Sequence, residues 1–95
     1  MADMSDIETV WVFCGARSQF PSGVFTTLDA AEVWIRRSRL TGTLTRYPLD
    51  QSAYDWAVSR GYFRNTKPEH SSPEFIGRFS AANQEHYHYE DGRRD

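Results

Sequence analysis

Two histidines two residues apart, His86 and His88, stand in the stretch Gln84-Glu85-His86-Tyr87-His88-Tyr89-Glu90-Asp91-Gly92. Imidazole is the commonest metal-ligating side chain and the one that changes charge near neutral pH. On a β-strand alternate side chains share a face, so His86 and His88 would point one way and Tyr87 and Tyr89 the other. Same-face residues lie about 6.6 Å apart along a strand, close enough for two imidazoles to converge on one ion held at about 2.0–2.1 Å. A third ligand would have to come from His70, Glu85, Glu90 or Asp91. On a helix the same spacing would send the two rings to different faces. A plainer reading needs no metal: the imidazoles line a polar outer face while the phenols cover the core. With no third ligand at a fixed spacing, the motif is a weak one and the plainer reading leads.

Other reactive groups are sparse. Cys14 is the single cysteine and follows the apolar run Val10-Trp11-Val12-Phe13. It could act as a nucleophile beside a histidine, but that setting fits a small buried filler better. Arg36, Arg37, Arg39 and Arg46, with Trp34 and Tyr47 nearby, could form a basic aromatic patch for single-stranded nucleic acid. The net charge of −2 argues against it. Glu69 and Glu74, and the group Glu85, Glu90 and Asp91, show no spacing that pairs them for acid–base work. No catalytic constellation emerges, and no cofactor is implied beyond a divalent metal at the histidines.

These groups must be positioned by one domain, since the chain has 95 residues. Rings supply much of its core volume: aromatic residues make up 15% of the chain. A lone cysteine and the lack of an apolar leader predict a reducing, cytoplasmic setting. No apolar run approaches the roughly 20 residues of a membrane span. The ordered core is expected over about residues 8–90, with a flexible acidic N-terminus at 1–7 and a fraying tail at 91–95.

Val10 to Cys14 is apolar on both alternating faces and reads as a central strand covered on both sides. Pro21-Ser22-Gly23 signals a turn, with a second strand from Gly23 to Thr26. A helix capped by Thr26 or Thr27 follows, with Ala31, Trp34 and Ile35 on one face and a stop at Gly42. Thr43 to Tyr47 reads as a strand ending at Pro48 or lying at an edge. Ser52 caps a second helix that ends at Gly61, with Tyr62 folding back onto it. Ser72-Pro73-Glu74 opens a third helix whose stripe is Phe75, Ile76 and Phe79. Residues 85–89 form the last strand. The expected architecture is α+β: a small, mostly antiparallel sheet of three to four strands with two to three packed helices, in the order ββαβααβ.

Gly23-Val24-Phe25-Thr26-Thr27-Leu28, Ala31-Glu32-Val33-Trp34-Ile35, Tyr54-Asp55-Trp56-Ala57, Gly61-Tyr62-Phe63, Ser72-Pro73-Glu74-Phe75-Ile76 and Gln84 to Gly92 together resemble a family of small bacterial domains of unknown function, across residues 10 to 92. The resemblance implies no catalytic roles. By analogy with immunity and accessory proteins it implies a partner-binding domain. The expected function is therefore a non-catalytic protein-interaction module using Glu85, Tyr87, Tyr89, Tyr62 and Phe63, which binds a protein partner or a second copy through the outer strand at 85–89. The alternative is a metal-binding protein using His86 and His88, with His70 as a further ligand. A weaker alternative is the single-strand binder.

Overall fold

The computed structural model describes residues 8–95, so the acidic N-terminal stretch at 1–7 lies outside the described residues. Strand β1, Thr9–Gly15, is the β-branched and aromatic run. It pairs antiparallel with β2 (Pro21–Phe25) on one side and with β3 (Gly42–Pro48) on the other. Strand β3 pairs with β4 (His86–Glu90), and β4 with the two-residue β5 (Arg93–Arg94), both antiparallel. The sheet runs β2-β1-β3-β4-β5.

Three helices interrupt the strands. In α1 (Leu28–Ser38) the Thr27 hydroxyl accepts from the Ala30 amide at 3.1 Å. In α2 (Ala53–Ser59) Ser52 does the same for Asp55 at 2.9 Å. Both side chains satisfy amides that have no partner within the helix. Helix α2 ends where Gly61 turns left-handed, at φ 76°. The Tyr62 amide then donates back to the Ala57 carbonyl at 2.8 Å and the Gly61 amide to Val58 at 3.1 Å, a glycine-closed helix end. A 3-10 turn at Pro68–Ser71 leads into the short α3 (Pro73–Gly77), which Ser72 caps.

Five strands and three α-helices among the described residues overturn the expected three- to four-stranded α+β domain in the order ββαβααβ. The chain closes on a hairpin instead of a lone strand. Asp91 and Gly92 both take positive φ, 53° and 83°, as a two-residue turn between right-twisted strands demands. The Asp91 amide donates to Thr41 Oγ1 at 3.0 Å and the Gly92 amide to the Leu40 carbonyl at 2.8 Å, which ties the turn to the start of β3. Residues 91–95, expected to fray, thus carry the turn and β5.

Other boundaries shift for local reasons. Helix α1 stops at Arg39, not Gly42: Arg39 is left-handed at φ 56°, and the Leu40 amide donates to Ile35 at 3.0 Å. Gly42 belongs to β3, where a Cβ would strike the Cys14 carbonyl, the Gly15 Cα at 2.8 Å and the Phe13 ring. Pro21-Ser22-Gly23 lies within β2, and the preceding turn is held by Ser18, whose hydroxyl accepts from the Phe20 amide at 3.2 Å. Strand β3 has neighbours on both sides, so Pro48 marks its end and not an edge.

One sheet face carries the main core. Trp11, Phe13, Leu44 and Tyr89 pack on Ala31 and Ile35 of α1, with Phe25, Leu28, Trp34, Leu40 and Tyr87 around them. Leu44 and Ile35 are fully buried, each adding about 2 kcal/mol by leaving water. A second cluster gathers four further rings: Phe63 lies 5.1–5.8 Å from Tyr54, Phe75 and Phe79. Among the described residues no helix is long and apolar enough to cross a membrane.

Candidate functional site

Strand β4 divides its side chains as alternation requires. Tyr89 is buried against α1, and its hydroxyl donates to Glu32 Oε2 at 2.6 Å. Arg94 of β5 grips the same carboxylate oxygen through Nε at 2.9 Å. Burial pushes the Glu32 carboxyl upward, but the Tyr89 and Arg94 hydrogen bonds outweigh it and hold the group below the usual carboxylate range. Burial, and then the bond to Glu32, push the Tyr89 phenol up to about 12. Tyr87 stacks on Trp11 at 5.9 Å, donates to Glu85, and lies under the Arg94 guanidinium at 4.0 Å. Its bond to Glu85, with burial, raises the Tyr87 phenol above its ordinary value. Glu85 also pairs with Arg46 at 3.0 Å.

Of Glu85, Tyr87 and Tyr89, expected as interaction residues, Tyr89 thus fastens β4 to α1, while Glu85 and Tyr87 bond to each other and meet Arg46, Trp11 and Arg94 along the sheet. The outer side of β4, expected to pair with another chain, meets β5 at Tyr89 and Glu90. Tyr62 and Phe63 fare differently. They line an open hollow of about 440 Å³ together with Phe75, Phe79 and Arg78, and with Ala81, Ala82 and Asn83 of the loop that follows. The glycine-closed end of α2 swings Tyr62 over Trp56 at 5.3 Å and leaves it 47% exposed. Phe75 and Phe79 are half-buried, whereas Ile76, expected in the same stripe, is exposed. Arg78 is exposed and makes no ion pair among the described residues. Sequence reasoning missed it, because a single arginine after a short helix carries no periodic signal. The surplus of rings between residues 54 and 79, beyond what the sheet could bury, was the available clue.

His86 and His88 do share a face, with ring centres 5.3 Å apart and planes at 87°. Nδ1 of His86 lies 2.7 Å from the Gln84 carbonyl, and Nδ1 of His88 lies 3.3 Å from Thr43 Oγ1. His70 is not brought to them: its ring packs against Phe63 and Phe75, and its Nδ1 accepts from the Thr66 amide at 3.1 Å. No group of three or more metal-ligating side chains gathers among the described residues.

Cys14 is half-buried on the sheet face opposite α1, and its thiol donates weakly to the Ser18 carbonyl at 3.5 Å. Two of the four arginines already have carboxylate partners. Arg46 lies over Trp11 at 5.7 Å and pairs with Glu85, while Arg39 pairs with Asp91 at 3.1 Å. Trp34 is spent on Phe13 and Phe25 in the core. No curated protein and no solved structure matches the chain. A family model does, over residues 10–95, and by that match the chain belongs to the family described as Domain of unknown function (DUF7710).

Proposed function

We propose that this chain is a non-catalytic interaction module that receives a short peptide segment of a partner protein in the hollow beside α3. The observation that carries the reading is the pairing of four rings, Tyr62, Phe63, Phe75 and Phe79, around one opening with the guanidinium of Arg78, which makes no ion pair among the described residues. Rings exclude water from an apolar side chain, and burying one Leu- or Phe-sized group is worth about 1.5–3 kcal/mol. An arginine with no carboxylate of its own takes one from the ligand, in fork geometry. The expected ligand is therefore a large apolar residue next to Asp or Glu. Rings and arginine are also the residue types that dominate binding hot spots. A single pocketed side chain offsets only part of the association cost, so affinity should be micromolar or weaker. The lone cysteine fits work in a reducing cytoplasm.

Selection of a displayed random-hexapeptide library on the protein tests this. Enriched peptides should carry the aromatic-or-aliphatic plus acid pair, and should be lost on both Phe79→Ala and Arg78→Glu. Peptides that bind both variants undiminished, or no enrichment at all, would refute the reading.

A further inference from the structure

The histidine pair lies apart from that hollow, and the geometry points to a use for it. We propose that His86 and His88 form a two-imidazole site for a borderline divalent transition-metal ion of the zinc, nickel and copper class, with solvent completing the coordination. The argument begins with Gln84, which is 1% exposed. Its Oε1 accepts from the Ala81 amide at 3.1 Å and its Nε2 donates to the Arg46 carbonyl at 3.2 Å, so the residue is clamped between the incoming loop and β3. The Gln84 carbonyl is thereby fixed 2.7 Å from His86 Nδ1. A carbonyl only accepts, so Nδ1 carries the proton and the Nε2 lone pair is left free. A ring N–H held by a backbone carbonyl is the support that metal-ligating histidines use.

His88 can match it. Thr43 lies directly across the ladder from His88, with its hydroxyl 3.3 Å from Nδ1. A hydroxyl donates or accepts, so His88 can hold its proton on Nδ1 and offer Nε2 as well. The spacing of the rings agrees. With metal–nitrogen bonds of about 2.0–2.1 Å and a tetrahedral angle, two imidazole centres around one ion stand about 5 Å apart. The observed separation is 5.3 Å. His88 is exposed and His86 half-buried, which leaves an ion open to water on the remaining sides. Imidazole ligands select this class over magnesium and calcium, which prefer oxygen.

Zinc titration followed by long-range proton–nitrogen NMR of the histidine rings tests the site in the intact protein. The Nε2 resonances of His86 and His88 should shift together and saturate at one ion per chain, while those of His70 stay in place. Calorimetry should show His86→Ala and His88→Ala each weakening zinc at least tenfold, with His70→Ala unchanged and magnesium giving no heat. Unperturbed His86 and His88 at equimolar zinc, or an equal loss on His70→Ala, would overturn the proposal. The wild-type spectrum decides the matter even if a variant folds poorly.

Discussion

Replacing Tyr89 by Phe removes one oxygen from the contact that ties β4 to α1, and its consequence can be worked in two pH ranges. At pH 7 the phenol donates to an ionised Glu32 at 2.6 Å from a buried position. Hydrogen bonds to charged groups contribute about 1.5–3 kcal/mol. Glu32 keeps Arg94 in the variant, so no carboxylate is stranded and the loss should fall near the lower end, about 1.5–2 kcal/mol. The alkaline range supplies an internal check. The Tyr89 phenol rises from 10.0 to about 12 on folding. A raised folded value means that the stabilisation is complete below the unfolded value and is lost as pH climbs through the folded one. By pH 11 the wild type should therefore give up about 1 kcal/mol that the Phe variant never had, after allowance for solvent screening at the Arg94 side. Urea unfolding followed by tryptophan fluorescence reads both. The variant's midpoint should lie about 1–2 M below wild type at pH 7. The gap should narrow by roughly half at pH 11. A gap below about 0.5 kcal/mol at pH 7 would refute the energetic reading of the Tyr89–Glu32 bond. A gap that stays constant from pH 8 to pH 11 would refute the ionisation argument.

Gly42→Ala should cost about 3 kcal/mol or more, seen as a collapsed urea midpoint, because the new methyl meets backbone of β1 on a fully paired strand and not a side chain that can move aside. Arg39→Gly should raise the thermal midpoint by about 2–5 °C, since φ 56° suits glycine and the Arg39–Asp91 pair it removes is exposed; a lower midpoint would contradict the assigned helix end. Gly92→Ala should cost about 1–3 kcal/mol and loosen β5, measurable as faster amide exchange at Asp95, because φ 83° is strained for alanine and its Cβ would sit 3.0 Å from Arg39 Cα.

Local rules were legible in the residues. Thr27, Ser52 and Ser72 cap helices because each hydroxyl reaches an amide three residues on, a contact that needs no distant partner. Gly61 ends α2 because only its own backbone is involved, and the alternation of imidazole and phenol through residues 86–89 follows from the pleat alone. The Asp91-Gly92 dipeptide is an equally local signal for a hairpin, but the two residues of β5 are too few to show the alternation that would mark a strand after it.

What the residues by themselves determined is which side of each element is apolar and where most helices begin. What only the tertiary structure decided is which long-range neighbour each polar group meets. Arg39 could be known as a helix end only with Leu40 folded back and Asp91 beside it. Tyr87 and Tyr89 could be seen as spoken for only once Glu85, Glu32 and Arg94 stood next to them. Tyr62 and Phe63 gained their hollow from Phe75, Phe79 and Arg78, more than ten residues away. Caps and pleats are set by bonds between near neighbours along the chain. Sites are set by packing between segments that adjoin only after folding, and a linear pattern carries no distance between them.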